Sequence, residues 1–329
     1  MIIMLYPVKL LYIILINWNG WEDTIECLES IFRSNYVNYR VVICDNNSQD
    51  NSLEYIRAWA RGELDVFTAQ TNLLRHLSYP VVVKPICYQD INRGDLAVVD
   101  KNGSSVPLTL ITIGENLGFG TASNIGIRYA FHNNADLVWM LNNDTVIENN
   151  TISKMVATAE NLGGIVGGTL NYYTDPSKIQ AFGGGHFSRI TGLVTHYEVE
   201  MRKSLNFITG ASLMIDKLTY DILGGFDENI FMYCEDFDYC IRATKNKVRM
   251  SCSDAKIYHK VGNSSGGIMS YFSCINVYNN KFYCLKKNYG IGLWTIIYFG
   301  SLIFFILNPW ENEHRKKAAK NILISKFNS

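Results

Sequence analysis

The chain has 329 residues, which is enough for one large α/β domain or two small ones with a buried core. Lys and Arg together number 30, as do Asp and Glu, so no excess charge points to nucleic acid or to an acidic partner. The eight cysteines form no C-x-x-C pair, which disfavours a zinc site or a disulfide framework and favours free thiols in a reducing cytosol.

The N-terminal residues 1–16 are apolar enough to resemble a signal peptide. However, they start without a basic segment, Lys9 interrupts the run, and no small-residue cleavage site follows. We therefore interpret residues 10–16 as a buried first strand.

Short apolar runs then alternate with helical patterns, which predicts an α/β fold with a mostly parallel central sheet flanked by helices. The predicted strands are residues 10–16, 40–44, 108–113, 136–141, 207–215 and 251–258. The predicted helices are residues 23–33, 53–61, 121–132, 151–162, 217–223 and 238–245.

Residues 63–108 fit no regular strand–helix unit and contain three of the six prolines. Because Gly-containing turn pairs lie at residues 93–94 and 102–103, the pattern favours a hairpin between residues 81–83 and 96–99. We interpret the whole segment as an insertion between the second and third core strands.

Asp45 ends the second predicted strand, where a carboxylate accepts hydrogen bonds from a nucleobase imide or a ribose hydroxyl. Dinucleotide-binding folds also carry an acidic residue here, but they need G-x-G-x-x-G after the first strand. Residues 17–22 read NWNGWE instead, which disfavours a dehydrogenase. An Asx-turn or a helix cap is the structural alternative for Asp45.

Residues 115–124, ENLGFGTASN, join a predicted strand to a predicted helix. The glycines permit close approach of the backbone, and the helix N-terminus offers free N–H groups to an anion. A tight strand–helix turn explains the same residues equally well.

Asn142, Asn143 and Asp144 follow the strand predicted at residues 136–141. Mg²⁺ and Mn²⁺ prefer hard oxygen ligands and retain water and substrate phosphates, so one carboxylate that bridges to a diphosphate meets their needs. The Asn142 amide oxygen is a weaker second ligand, and an ordinary Asn/Asp turn is the structural alternative.

Glu235 and Asp236 lie in a cluster of carboxylates between aromatic residues. Neighbouring charges and apolar surroundings raise a carboxyl pKa, as a general base requires. The acidic first turn of a helix explains Glu235 as well.

His259 ends a predicted strand before a Gly/Ser-rich loop, which suits a metal ligand beside a closing lid, although a lone histidine is more often structural.

Taken in order, these stretches resemble glycosyltransferase family 2, a family of inverting enzymes with the GT-A fold, and within it the rhamnosyltransferase-like branch. The matching residues are 13–20, 41–52, 115–126, 141–145, 210–214, 224–242 and 257–259. The resemblance extends over about residues 9–290, apart from the insertion at 63–108, and implies one GT-A domain there.

The resemblance implies that six residues bind the donor: Asn19, Asp45, Asn47, Asn116, Gly118 and Asn124. It matches Asp144 and His259 to the ligands of a divalent metal, Mg²⁺ or Mn²⁺, and Asp236 to the catalytic base. The metal motif departs from the family pattern because only one of its three positions is a carboxylate, which weakens the expected metal affinity.

The implied reaction is a single displacement in which Asp236 deprotonates an acceptor hydroxyl that attacks the anomeric carbon opposite the diphosphate. The favoured donor is dTDP-rhamnose, with UDP-linked galactofuranose, glucose or another hexose as alternatives, and the acceptor is a glycan or a lipid-linked glycan. Two other functions stay open. One is a catalytically inactive nucleotide-sugar-binding protein. The other is a sugar nucleotidyltransferase, although this sequence lacks the basic, Gly-rich phosphate loop that such an enzyme needs after the first strand.

Residues 291–307 form an apolar run of 17 residues between basic clusters at 286–287 and 314–317. At ~1.5 Å per residue the run extends about 25 Å, short of a ~30 Å hydrocarbon core. We therefore expect residues 291–329 to form an apolar helical tail that holds a cytoplasmic enzyme at the inner face of the membrane. A buried helix that packs on the catalytic domain is the alternative.

Overall fold

The computed structural model describes residues 8–66, 68–96, 106–188, 194–199, 205–260, 270–290, 292–308 and 311–327. Its strands are β1 (Leu11–Asn17), β2 (Tyr39–Asp45), β3 (Tyr88–Asn92), β4 (Leu108–Thr112), β5 (Leu137–Leu141), β6 (Thr145–Ile147), β7 (Ile165–Tyr172), β8 (Ile179–Phe182), β9 (Gly184–Phe187), β10 (Val194–His196), β11 (Phe207–Ile208), β12 (Ser212–Asp216) and β13 (Met250–His259). Its α-helices are α1 (Trp21–Ile31), α2 (Ser52–Arg61), α3 (Gly118–His132), α4 (Thr151–Leu162), α5 (Lys217–Leu223), α6 (Glu235–Lys245), α7 (Tyr271–Tyr289), α8 (Leu293–Leu307) and α9 (Glu313–Phe327).

The central sheet has the strand order β3-β4-β2-β1-β5-β12-β7-β13-β6, and β8 pairs with β7. Strands β1 to β5 are parallel to one another. The mainly apolar strands β1, β2, β4 and β5 are buried on both faces, as expected where helices cover both sides of a sheet. Strand β12 is antiparallel to both β5 and β7, and β13 is antiparallel to β6. A small second sheet has the order β10-β9-β11.

The predicted α/β architecture is confirmed, because β1, β2, β4 and β5 lie within one residue of their predicted bounds. Helices α4 and α5 have the predicted bounds. The strand predicted at 207–215 is wrong: the chain forms β11 in the small sheet and β12 in the central sheet. The break lies at Thr209–Ala211, where the Gly210 N–H donates a hydrogen bond to Asp236 instead of to a strand.

The hairpin predicted between residues 81–83 and 96–99 is not formed by the described residues, and residues 97–99 lie outside them. Residues 81–83 form no strand because the buried Glu29 carboxylate of α1 binds this segment. It accepts hydrogen bonds from the Val82 N–H at 2.8 Å and the Lys84 ammonium at 2.7 Å. The sheet strand of this region is β3, which lies parallel to β4 at the sheet edge.

The C-terminal helices pack against one another, so the tail is part of the hydrophobic core. Residues of α8 and α9 are buried there: Tyr298, Leu302, Ala318, Ala319 and Ile322. The Tyr298 hydroxyl donates to the Tyr278 carbonyl of α7 at 2.7 Å. Among the described residues, no helix combines the length and the apolar character needed to cross a membrane.

Candidate active site

A cavity of about 720 Å³ lies at the carboxyl ends of β1, β2, β4 and β5, the edge where open α/β sheets bind ligands. Four of the predicted site residues line it: Asn116, Asp144, Asp236 and His259. Asn19, Asp45, Asn47, Gly118 and Asn124 are not among the lining residues. The cavity therefore combines the predicted metal ligands with the predicted base.

Asp144 and His259 form the first polar group of the cavity. The Asp144 Oδ1 atom lies 3.2 Å from His259 Nε2, and both side chains are about nine-tenths buried. The Asn142 Nδ2 atom lies 3.3 Å from the same ring nitrogen. Burial tends to raise the pKa of the Asp144 carboxyl, but the hydrogen bond to His259 and the charges of His259 and Lys260 hold that pKa below its usual value.

The pairing of β13 with β6 brings these two residues together. His259 pairs with Thr145, so Asp144, which immediately precedes β6, lies beside the histidine. The Lys260 N–H donates to the Asp144 carbonyl at 3.0 Å and extends the pairing by one residue. The Lys260 ammonium binds Asp23 and Glu26 of α1, at 2.5 and 2.6 Å, and so anchors the end of β13.

The donor atoms at Asp144 and His259 suit a divalent cation. The described residues hold no group of three or more His, Cys, Asp or Glu side chains close enough to bind one ion. One carboxylate and one imidazole, with the amide group of Asn142 beside them, leave positions for water and phosphate oxygens, as Mg²⁺ and Mn²⁺ sites on nucleotides require. The residues present therefore fit a metal that is held jointly with a diphosphate.

Glu235 and Asp236 begin α6 and form the second polar group of the cavity. The Asp236 carboxylate accepts the Gly210 N–H at 2.8 Å and the Phe237 N–H at 2.7 Å. Burial raises the Asp236 pKa, and these peptide hydrogen bonds oppose the rise. Burial, together with the negative charge of Asp236, raises the pKa of Glu235 to about 8, and its Oε2 has no hydrogen-bond partner among the described residues.

The loop before α6 is held in a strained backbone conformation. Tyr233 and Cys234 have φ angles of 68° and 71°, in the left-handed region that non-glycine residues rarely adopt. The Asn280 side chain of α7 donates to the carbonyls of Met232 at 2.8 Å and Tyr233 at 3.1 Å. Helix α7 thus fixes the loop that places the acidic pair at the cavity.

Asp45 takes the structural role that its position also allowed. Its carboxylate accepts hydrogen bonds from the Asn17 side chain at 2.8 Å and from the Ser48 N–H and hydroxyl at 3.1 and 2.6 Å. Asn19 ties the same turn together, since its Oδ1 accepts the Gln49 N–H at 2.6 Å. Asn47, at a φ of 67°, turns the backbone. The donor-binding roles of Asp45, Asn19 and Asn47 stay predictions.

Asn46 lines the cavity and was missed by the sequence analysis. Its buried side chain donates to Asn116 Oδ1 at 2.9 Å and accepts the Leu117 N–H at 2.9 Å, so it joins the ends of β2 and β4. Its position immediately after a buried predicted strand, next to Asp45, could have identified it as a candidate site residue. Gln180 of β8 also lines the cavity and carried no comparable signal.

Gly118 and Asn124 hold the cavity wall together. A side chain at Gly118, which has a φ of 78°, would lie 1.9 Å from the Phe231 carbonyl oxygen, so only glycine fits there. The buried Asn124 side chain bonds the N–H and carbonyl of Phe226 at 2.8 and 2.9 Å. In the structure, Gly118 allows close backbone packing and Asn124 joins α3 to the segment at Phe226. Their contacts with the donor stay predictions.

The chain is similar to several known proteins. The family model for glycosyl transferase family 2 matches residues 12–73 and 96–222, more than half of the chain. A dTDP-rhamnosyl transferase, RfbF of Shigella flexneri, is 26% identical over 237 residues, 67% of this chain and 74% of that protein. The low-salt glycan biosynthesis hexosyltransferase Agl10 of Haloferax volcanii is 25% identical over 169 residues, 47% of this chain and 55% of that protein.

Two solved structures share the fold. The mannosyltransferase PcManGT from Pyrobaculum calidifontis, solved with GDP-Man and Mn²⁺, has a TM-score of 0.54 at 14% identity and covers 98% of this chain and 76% of its own. Residues 1–349 of TarS from S. aureus give a TM-score of 0.51 at 14% identity, over 94% of this chain and 69% of that one.

The family model extends from β1 through most of α5, the part of the fold that supplies Asn46, Asn116 and Asp144 to the cavity. Because that match covers more than half of the chain, and because the solved neighbours share its sheet and helices, the protein belongs to glycosyl transferase family 2 and is a glycosyltransferase with the GT-A fold.

Proposed function

We propose that the chain transfers a sugar, with rhamnose from dTDP-rhamnose as the favoured donor, to a hydroxyl group of a glycan or lipid-linked acceptor, with inversion at the anomeric carbon. The observation that carries the proposal is that one cavity holds both the Asp144–His259 pair and the partly buried Asp236 carboxylate. The 26% identity to a dTDP-rhamnosyl transferase supports the donor, and the similarity to a hexosyltransferase makes a UDP-hexose the second candidate.

The charge balance of the cavity supports a metal at Asp144 and His259. A nucleotide diphosphate is an anion, yet none of the described residues that line the cavity is a lysine or an arginine. A divalent cation, when bound, offsets the charge that develops on the departing diphosphate. The presence of Mn²⁺ with GDP-Man in PcManGT is consistent with this role.

The two acidic residues divide the proton chemistry between them. Two peptide N–H groups stabilise the charged form of Asp236, whereas Glu235 lacks such bonds at Oε2 and holds its proton. Asp236 accepts the proton of the acceptor hydroxyl as the new bond to the anomeric carbon forms and the bond to the diphosphate oxygen breaks. Three aromatic residues, Phe119, Phe231 and Phe272, also line the cavity and give it apolar surface.

We further propose that the tail binds the cytosolic face of the membrane along one side of α8. Ile303, Phe304 and Leu307 are 47%, 62% and 74% exposed, and their spacing places them on one helical face. Lys317 and Lys320 of α9 are exposed as well. This combination of apolar and basic side chains suits an anionic lipid surface, to which each basic residue adds about 1 kcal/mol.

Asp144→Ala is expected to remove the effect of Mn²⁺ on nucleotide binding, because it deletes the one carboxylate beside His259. Calorimetric titration of dTDP, and separately of UDP, with and without Mn²⁺ measures this effect and identifies the preferred nucleotide. Asp254→Ala, an exposed aspartate of β13, is the control and should behave like wild type. Equal Mn²⁺-dependent binding by Asp144→Ala and wild type would place the metal elsewhere.

Asp236→Asn is expected to lower the rate of transfer by at least about 100-fold while dTDP affinity stays unchanged, because the amide cannot accept the hydroxyl proton. The measurement is dTDP release from dTDP-rhamnose in the presence of an extracted glycolipid fraction. Asp221→Asn, at an exposed aspartate of α5, is the control. Transfer by Asp236→Asn within tenfold of wild type would exclude Asp236 as the base.

Glu235→Gln is expected to stabilise the protein at alkaline pH. The Glu235 pKa rises from 4.5 to about 8 on folding, so its contribution to stability is full below about pH 4.5 and is lost as the pH rises through about 8. A glutamine is neutral throughout, so the melting temperature should exceed that of wild type by roughly 2–4 °C at pH 9. The exposed Glu22→Gln is the control. A melting difference that is the same at pH 6 and pH 9 would contradict this assignment.

Replacing Phe304 and Leu307 together by serine is expected to lower binding to vesicles that contain phosphatidylglycerol at least tenfold, because burial of each side chain contributes roughly 1.5–3 kcal/mol. Co-sedimentation measures the binding. Leu218→Ser, at a 67% exposed leucine of α5, is the control. Point variants are needed because deletion of the tail would also remove the buried Tyr298 and Leu302. Unchanged vesicle binding would overturn the membrane proposal.

A further inference from the structure

Gln180 contacts the candidate metal site from a segment that none of the sequence motifs includes. It lies in β8, which pairs with β7, and its side chain faces the cavity. The Gln180 Oε1 atom is 3.0 Å from His259 Nδ1, the ring nitrogen that faces away from Asp144. The two ring nitrogens therefore face different groups: Nδ1 faces the Gln180 amide oxygen, and Nε2 faces the Asp144 carboxylate.

The contact with Gln180 determines which ring nitrogen offers a lone pair. A neutral imidazole carries a proton on one nitrogen only, and a nitrogen that binds a cation must be free of it. An amide oxygen accepts hydrogen bonds but cannot donate them, so Gln180 Oε1 favours a proton on Nδ1, and a cation bound between Nε2 and Asp144 would favour the same tautomer. The lone pair of Nε2 then faces Asp144 Oδ1 and the Asn142 amide group.

We propose that Gln180 is a positioning residue of the metal site, which orients His259 and selects the tautomer that binds the cation. The inference rests on the metal-assisted donor binding proposed above and extends it to a residue outside the cation's own ligands. Outer hydrogen bonds of this kind commonly change metal affinity 10- to 100-fold when they are removed. A cation with few protein ligands depends strongly on each one being correctly oriented.

A purely structural role for Gln180 makes a different prediction. In that case the amide only satisfies a buried ring nitrogen, and its removal lowers the melting temperature without a selective effect on Mn²⁺. If Gln180 acts through His259, its removal weakens Mn²⁺ binding only while the histidine is present. The two roles are therefore separated by a double-mutant cycle of Gln180 with His259.

The experiment uses the full chain at a fixed dTDP concentration and follows the EPR signal of free Mn²⁺. Gln180→Ala is expected to raise the Kd for Mn²⁺ about tenfold, whereas Gln180→Glu, which keeps an acceptor oxygen, should stay within about threefold of wild type. In the His259→Ala background, Gln180→Ala should cause no further change. Gln89→Ala, which removes hydrogen bonds to Thr109 and Tyr129 at the distant sheet edge, is the matched control and should bind Mn²⁺ like wild type.

Wild-type Mn²⁺ affinity in a folded Gln180→Ala variant, or an equal loss with and without His259, would overturn the inference while leaving the metal proposal intact. Thermal melts of each variant establish folding, and Gln180→Glu provides the same comparison if Gln180→Ala does not fold, because a loss of affinity in it would also overturn the inference. Absence of Mn²⁺ binding by wild type with both dTDP and UDP would instead overturn the metal proposal itself, and this inference with it.

Discussion

The backbone pairing of β13 with β6 is the constraint on which the candidate site depends. Because His259 pairs with Thr145, the histidine lies beside Asp144, although the two come from distant parts of the chain. Lys260 secures this pairing by binding two carboxylates of α1. A one-residue shift of β13 would turn His259 away from the cavity, since successive side chains of a strand point to opposite faces. The metal proposal therefore depends on strand register as much as on residue type.

The electrostatics of the cavity depend on how few charged side chains line it. Its described lining contains carboxylates and amides without a lysine or arginine, so an anionic donor and the acidic pair are compatible only if their charges are separated or offset. In the proposed site, a cation at Asp144 would offset the charge of the donor, and a proton on Glu235, whose pKa is raised, would leave Asp236 as the charged member of the pair. Each group thus acquires its role from its neighbours, because two neighbouring carboxylates do not both ionise readily where water is scarce.

Much of the fold could be predicted from the sequence because buried parallel strands leave strong local signals. The runs that became β1, β2, β4 and β5 are continuously apolar, and polar residues such as Asp45 and Asp144 mark their ends. What depends on contacts between distant segments could not be predicted. Gln180 lies among small polar and apolar residues that carry no motif, and its role arises only where β8 passes His259. Residues 81–83 look like a strand, but the buried Glu29 holds them elsewhere.

The C-terminal helices connect the proposed membrane surface to helix α7, which reaches the cavity. Helix α7 begins at Tyr271, beside Phe272, which lines the cavity, and continues to Asn280, which fixes the strained loop before the acidic pair. Helix α9 donates a hydrogen bond from Asn321 to the Tyr271 hydroxyl at 2.7 Å. Helices α8 and α9, which carry the proposed membrane surface, therefore pack against the helix that reaches the cavity. The tail then contributes indirectly to the placement of Asp236, because α8 and α9 both bind α7, and α7 fixes the loop before the acidic pair.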